Sequence, residues 1–365
     1  MFCLFEIKHF RKEDFSKYWI FISFYIYSIL SLIYTQDILY SLKYLSLYSS
    51  FLVFPFVFSV LKLDKQKFKK LFKIMILWLL LLIAYSEFQT LYQIYLDGES
   101  LYVFFRKDYS YINLGNKINV HPPNMVLIIS FFYFYLIAYP NTTGFFRWQE
   151  YLIVFIFFAY SVHLSSRTPI VAIILITIIL LYKRIFERKG HIKAVLFTSI
   201  CLALVFTLLV SIRSTRYRFL ELTGMKYGNG TYVEILPSKF DQWQSAFKAN
   251  NSILFGNGLG DAQASIIQSN SENGLFKFAE LRYNAHNQYI QTFVGLGACG
   301  VIFLFLMLSI PLMNIKNMFS IVFICFSGYL LIVWLSESYL ERHRGTIYIV
   351  LMLCLCKHLS LRNKN

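Results

Sequence analysis

The chain has 365 residues, of which 57% are hydrophobic and only 15% are charged, and its mean hydropathy is +0.55. Soluble globular proteins carry about 25% charged residues, so this composition excludes an ordinary soluble domain and indicates a polytopic membrane protein. The formal net charge of +16 could point to nucleic acid, but the basic residues flank apolar runs and form no single stripe, which favours a membrane protein instead.

Apolar segments that are long enough, or nearly so, to cross about 30 Å of hydrocarbon predict an all-α bundle of about ten transmembrane helices in one polytopic domain over residues 1–365. The segments are centred near Ser28, Phe54, Leu81, Phe132, Phe157, Ile176, Val205, Phe303, Phe326 and Val350. The first segment lacks the short core and the cleavage site of a signal peptide, so we expect it to be retained. The last, between Gly345 and Cys356, is short.

The distribution of Lys and Arg in short loops indicates the orientation of the chain. If the N-terminus is cytoplasmic, twenty basic residues fall on the inner side, and seven, including Lys43, fall in short outer loops. This bias predicts that both termini are cytoplasmic.

One outer loop, residues 213–284, is far longer than the others, and loops of this length inside a compact domain are usually functional or disordered. Residues 237–250 within it predict a short amphipathic helix with Phe240, Trp243 and Phe247 on one stripe. We expect this helix to lie on the outer surface of the membrane as a partial lid.

A glycine-rich segment, Leu254–Gly260, follows that helix. Its glycines could cradle a phosphate, but the spacing is not that of a P-loop and no Lys-Ser/Thr follows. A tight turn that ends the helix is the favoured interpretation.

The stretch 282–303 passes from a polar, His-centred run into a Gly-spaced apolar helix. His286 should therefore lie where a span meets an aqueous pocket, and a neutral imidazole there can accept a proton from a sugar hydroxyl. Alternatively, His286 only orients the start of the helix. Asn284 and Asn287 could orient the ring or bind sugar, although Asn is also common at helix starts.

Several basic residues could bind an anionic substrate. Arg167 lies in a very short outer link between two spans, where a charge is costly unless it has an anionic partner, lines a wet cavity or snorkels to lipid phosphate. Arg213, Arg216 and Arg218 could bind a diphosphate through their guanidinium forks, although contact with lipid headgroups is the more ordinary explanation. Lys239 is four residues before Trp243, on a turn of the lid helix that could face the pocket.

Two further candidates come from other outer loops. His121, in Asn-Val-His-Pro-Pro, could reach the same pocket, but a rigid helix-entry turn is favoured there. Arg342 and Arg344 crowd the last outer loop beside Glu337 and Glu341, where they could form only a solvated charge network.

The acidic residues of the long loop form no Asp-x-Asp and no close cluster, so we expect no metal site and no cofactor. A diphosphate would then be neutralised by basic side chains. All cysteines except Cys3 fall in apolar runs, which predicts neither disulfides nor a zinc site. Glu87 is the main acidic residue in a span, whereas an ion-coupled transporter would usually have several.

With these residues in hand, the chain resembles the bacterial O-antigen ligase and polymerase family over residues 120–345. The resemblance is carried by Ser165-Ser-Arg-Thr168, the Trp-bearing lid helix, Phe255-Gly-Asn-Gly-Leu-Gly260, Ala285-His-Asn-Gln-Tyr-Ile290 and Gly295-Leu-Gly297-x-x-Gly300, in this order along one topology.

The resemblance implies a metal-independent, inverting glycosyltransferase with a GT-C-like fold in the bacterial inner membrane. Its active site would face the periplasm, its donor would be a glycan on undecaprenyl diphosphate, and its acceptor would be lipid A core or a lipid-linked glycan. The family's catalytic residues fall on Arg167, Lys239 and His286. Lys239 is a departure, because the family has Arg there and Lys lacks the guanidinium fork.

The resemblance implies no choice between a ligase and a polymerase, because the acceptor groove carries no motif. A polysaccharide flippase or other transporter is the alternative from another functional class, but the spans show neither a charged central cavity nor paired repeats. A non-catalytic partner of an envelope enzyme is a third possibility.

Overall fold

The computed structural model of the protein describes residues 12–61, 65–106, 108–164, 166–190, 192–193, 195–196, 199–200, 225–228, 231–235, 239–314 and 320–362. Helices dominate these residues, with one two-stranded hairpin between them. The expectation of an all-α protein is therefore correct except for this hairpin.

The α-helices described before the long loop are α1 (Lys12–Ser16), α2 (Trp19–Leu30), α3 (Ile38–Tyr48), α4 (Ser50–Val60), α5 (Lys65–Leu96), α6 (Ile112–Lys117), α7 (Pro122–Ala138), α8 (Arg147–His163) and α9 (Arg167–Lys189). The remaining named elements are β1 (Met225–Gly228), β2 (Thr231–Ile235), α10 (Lys239–Lys248), α11 (Ala262–Glu272), α12 (Phe276–Glu280), α13 (Gln288–Ser309), α14 (Ser320–Val333) and α15 (His343–Arg362). Short 3-10 turns lie at Ser31–Ile33, Leu101–Val103, Leu312–Asn314 and Tyr339–Glu341.

Four helical stretches among the described residues are long and apolar enough to cross a membrane: Ile38–Val60, Gln66–Leu96, Arg167–Glu187 and Gln288–Ser309. Shorter apolar helices occupy Trp19–Ile33, Pro122–Ala138 and Ser320–Val333. Nine of the ten predicted span centres fall inside helices, and Val205 lies outside the described residues. The count of ten stays a prediction, and Lys43, expected in a short loop, lies inside α3.

The centre of the bundle is α7, which is apolar all round and buried along nearly its whole length. It packs against α8, α9, α14 and α15. The Phe131 ring contacts Phe72 of α5 and both Phe323 and Phe326 of α14, with ring centroids 5.2–5.7 Å apart. These interlocking aromatic rings fix α7, so His121 at its start occupies a defined position.

Helix α13 is broken at Gly297, where φ is +63° and ψ is −165°. The backbone N–H groups of Ala298 and Cys299 instead donate to the carbonyl oxygens of Ile253 and Leu254, at 2.8 and 3.3 Å. The glycine-rich turn thus inserts into the break and satisfies amides that the helix leaves without partners.

The conformation of the turn itself requires glycine. Gly256 and Gly258 have φ values of +72° and +96°, and a Cβ on Gly256 would lie 2.6 Å from the backbone of Gly295 and Gly297. These values confirm the predicted tight turn, and its close approach to α13 accounts for the glycines on both sides.

The long loop contains more structure than the single helix that the sequence predicts. The strands pair antiparallel, and α10, α11 and α12 follow. The lid helix α10 covers Lys239–Lys248, within the predicted 237–250. Phe240 and Phe247 are more than half exposed, and the buried face of α10 consists of Gln242, Ser245 and Ala246. This small, polar face packs against α11 and α13, and the exposed Phe247 ring stacks on Phe293 of α13 with ring centroids 5.0 Å apart.

Glu87, the predicted acidic exception within a span, has a specific partner. Both of its carboxylate oxygens lie 3.0 Å from Nδ1 of His163, the last residue of α8. Nε2 of His163 contacts the carbonyl oxygen of Phe104 at 2.9 Å, and the two rings stack. The pair therefore ties the loop after α5 to the end of α8.

Candidate active site

The start of α13 is set by Asn287, whose side-chain oxygen accepts hydrogen bonds from the backbone N–H groups of Tyr289 and Ile290 at 3.0 and 3.1 Å. An Asn at this position satisfies amides that have no partner within the helix. The preceding residue, His286, has a φ of +44°, which is uncommon for residues other than glycine. Its N–H donates to Oδ1 of Asn284 at 3.0 Å.

Further hydrogen bonds hold this first turn against the link between α14 and α15. The N–H of Gln288 donates to the carbonyl of Trp334 at 2.7 Å, and Oε1 of Gln288 accepts from the N–H of Leu340 at 2.8 Å. Oε1 of Gln291 accepts from the N–H of Ala285 at 3.0 Å. Both glutamines are buried, so the surroundings hold the unusual backbone of His286 in place.

The lid helix α10 contacts the same turn. Nε2 of Gln242 donates to the carbonyl of Asn284 at 2.7 Å. One turn earlier, Nζ of Lys239 lies 3.4 Å from the carbonyl oxygen of Ser336. Trp243 packs edge-on against Phe240 at 5.3 Å, and its buried indole N–H has no acceptor among the described residues. Lys239 is thus directed from the lid helix towards the link that follows α14.

The electrostatic surroundings of His286 are strongly positive. Burial lowers the pKa of its imidazole to about 4, with further lowering by Lys239, Arg342 and His121 in that order. Burial also lowers the pKa of the Lys239 ammonium, which the carboxylate of Glu337 partly offsets and Arg167 reinforces. His286 is therefore neutral at pH 7 and is surrounded by cations.

His121 and Arg342 belong to the same cluster. Burial and the charge of Arg342 lower the pKa of His121 to about 4. Both residues line a cavity of about 10 Å³ together with Glu337, which is space for about one water molecule. His121 also precedes Pro122 at the start of α7. It therefore forms the predicted helix-entry turn and lies beside the cluster as well.

Predicted site residues from distant parts of the chain thus converge. Lys239, Arg342 and His121 lie near enough to His286 to lower its pKa, and Arg167 lies near enough to Lys239 to lower the pKa of its ammonium. Asn287 lies beside His286 but serves as the helix cap. The predicted diphosphate ligands Arg213, Arg216 and Arg218 lie outside the described residues.

Glu337 is the site residue that the sequence did not single out. Burial raises the pKa of its carboxyl, while Lys239 and Arg342 lower it. In the sequence it was one of four charges in a short polar link. Only the fold places it among the cations of the cluster, where its carboxylate raises the pKa of Lys239.

The described part of the chain contains no group of three His, Cys, Asp or Glu side chains placed to hold a metal ion. The described cysteines Cys299, Cys325, Cys354 and Cys356 form no disulfide bond, and Cys3 and Cys201 lie outside the described residues.

Comparison with known proteins identifies one family model that matches part of the chain. Residues 152–305 match the family model described as O-antigen ligase, a segment that includes Arg167, Lys239 and His286. No curated protein matches the chain. This match over residues 152–305 supports the resemblance of the chain to the O-antigen ligase and polymerase family.

Proposed function

We propose that this protein is an inverting, metal-independent glycosyltransferase that moves a glycan from undecaprenyl diphosphate to lipid A core or to a growing lipid-linked polysaccharide. The observation that carries the proposal is the cationic cluster around a neutral His286 at one end of a helical bundle. In the proposed orientation both termini are cytoplasmic and the cluster faces the periplasm, with residues 120–345 as the family core and 213–284 as the periplasmic loop.

The donor diphosphate fits the basic side chains of the cluster. Arg167 is the first residue of α9, where the free amides of the helix start add to the attraction for an anion. Lys239 approaches from the lid helix. Its ammonium retains the charge of the family's arginine, and Arg342 offers a nearby guanidinium that can bind two oxygens at once.

His286 is suited to accept the proton of the attacking hydroxyl. The hydroxyl oxygen forms a bond with the anomeric carbon as its proton moves to the imidazole, and the bond from that carbon to the diphosphate oxygen breaks. The leaving group carries its electron pair as negative charge, which the basic side chains stabilise. One in-line displacement inverts the anomeric carbon.

The donor also changes the basicity of His286. Burial and the neighbouring cations lower the pKa of the free imidazole to about 4, which makes it a weak base. A bound diphosphate brings negative charge to the same cations and therefore raises the pKa of His286. The base is thus strengthened when the donor is present.

The test uses membranes from a strain that lacks the chromosomal copy and carries His286→Ala. The matched control is His343→Ala, since His343 is exposed at the start of α15 and lies outside the proposed machinery. We expect glycan transfer to fall by at least about 100-fold in the first variant, as for loss of a general base, and to persist in the second. Transfer at the wild-type rate by His286→Ala would refute the proposed role.

The lipopolysaccharide of the deletion strain separates the two activities. Lost attachment with accumulation of lipid-linked polymer identifies a ligase, and caps of a single repeat identify a polymerase.

A further inference from the structure

We propose that a second, polar cavity near the cluster binds a saccharide and holds the glycan chain beside His286. This inference rests on the proposed function and adds a subsite to it. The cavity has a volume of about 420 Å³, within the range of about 300–1,000 Å³ typical of small-ligand sites. It lies between the end of α5 and helix α6 and shares no lining residue with the cationic cluster.

Its lining combines hydrogen-bond donors and acceptors, and sugar hydroxyls use both. The polar side chains that line it include those of Gln93, Asp97, Tyr109, Asn113, Asn116 and Lys117. Each sugar hydroxyl both donates and accepts, amide side chains do the same, and carboxylates accept from pairs of hydroxyls. A mixed set of amides, carboxylates and one ammonium suits a neutral polyol better than an apolar ligand.

The carboxylates of the cavity already form hydrogen bonds or ion pairs with neighbouring side chains. Oδ2 of Asp97 accepts from the hydroxyl of Tyr109 at 2.6 Å, and Oδ1 accepts from Nε2 of Gln93 at 2.9 Å. Asp108, which also lines the cavity, pairs with Nε of Arg106 at 2.8 Å. Because Lys117 adds a further positive charge, the cavity has little excess negative charge to bind a divalent cation.

The geometry is fixed from several sides. Tyr109 is 6% exposed and follows the loop that the Glu87–His163 pair ties to α8. Helix α6 packs against both α5 and α7. A site assembled on rigid elements needs little ordering when a ligand binds.

The cavity lies at the same end of the bundle as the cluster. Lys117 lines it, and His121 of the cluster follows four residues later, so their Cα atoms are at most about 14 Å apart. The link between them is held by the guanidinium of Arg344, which donates to the carbonyl of Asn119. A chain of a few sugars bound in the cavity would therefore extend towards His121 and its neighbour His286.

Saturation-transfer NMR on the purified full-length protein tests the inference, with di- to tetrasaccharides of glucose, galactose and N-acetylglucosamine as probes. The test variants are Gln93→Leu/Asn116→Leu and Asn116→Leu alone, which keep side-chain volume and remove hydrogen bonds. Gln268→Leu is the control, since Gln268 is an exposed amide on α11 paired with Glu272. Thermal melting verifies that each variant is folded.

We expect the wild type and Gln268→Leu to bind at least one probe, and the double variant to bind it about tenfold more weakly. Equal binding by all three proteins, or no binding of any probe, would overturn the inference. So would calcium binding that the double variant loses while saccharide binding is unaffected. In His286→Ala saccharide binding should persist, so failure of the proposed catalytic role and failure of this subsite give different results.

Discussion

Replacing Gly297 with Ala tests the break in α13 on which the site is built. The backbone of Gly297, with φ of +63° and ψ of −165°, lies in a region that only glycine adopts readily, and forcing another residue into it costs about 1–3 kcal/mol. A Cβ there would lie 2.3 Å from the carbonyl carbon and oxygen of Leu254 and 2.5 Å from the N of Phe255. These are backbone atoms and cannot rotate away.

The steric contribution adds to the conformational strain. Overpacking costs about 1–3 kcal/mol, so Gly297→Ala should destabilise the protein by about 2–6 kcal/mol in total. The matched control is Gly274→Ala, because Gly274 has a φ of +76° and a Cβ added there would have no atom within 4 Å. That change should cost only about 1–2 kcal/mol.

The assay is thermal unfolding of both variants in the same detergent, followed by tryptophan fluorescence. At about 2 °C for each kcal/mol, Gly297→Ala should lower Tm by about 4–12 °C and Gly274→Ala by about 2–4 °C. A Cβ on Gly256 would meet the backbone of α13 at the same contact between the turn and the helix. The effects of Gly256→Ala and Gly297→Ala should therefore be less than additive. A loss of Tm no larger in Gly297→Ala than in Gly274→Ala would refute the proposed docking.

Three further predictions concern the site. Asn287→Ala should cost about 0.5–2 kcal/mol by removing the cap of α13, whereas Asn287→Ser should retain it, and equal Tm values for the two variants would contradict this role. The imidazole of free His286 is neutral above a pKa of about 4. We therefore expect kcat/KM to stay constant from pH 7 to pH 6 and to fall towards pH 4, and we expect kcat, which reports the donor-bound enzyme, to fall with a higher midpoint. A midpoint near pH 6.5 for kcat/KM would exclude the lowered pKa. Lys239→Met should raise the pKa of His286, because a positive neighbour is removed, and should also raise the KM for the donor. Lys239→Arg should preserve donor binding. If the pH profiles and the donor KM of Lys239→Met were unchanged, Lys239 would have no role in the site.

Hydropathy predicts the helices because a span must bury a continuous apolar length whatever surrounds it. The same pattern does not distinguish which face of a helix packs. Phe240 and Phe247 form the apolar stripe of α10, yet α10 packs through Gln242, Ser245 and Ala246, whose polar groups bond to neighbouring segments. Small residues at a helix interface permit close packing, so Ser245 and Ala246 lie in the contact although hydropathy does not mark them.

The site was predictable where a residue type has few alternative uses. His286 and Arg167 stand at span ends, where an ionisable side chain needs a functional or structural reason. Glu337 was not distinguishable, because carboxylates are common in short polar links and its importance depends on charges from other helices. The cavity between α5 and α6 had no signal either, since Gln93 and Asn116 become neighbours only after folding.

The break in α13 explains how two distant site residues acquire a fixed separation. Lys239 is on α10 and His286 precedes α13, and the glycine-rich turn connects the two elements by inserting at Gly297. Nδ2 of Asn250, just after α10, also donates to the carbonyl of Phe293 at 2.9 Å. The carbonyl of Leu296, at the break, accepts from the hydroxyl of Tyr27 at 2.8 Å. These contacts anchor the lid helix to the first half of α13, and this anchoring fixes the position of Lys239 relative to His286.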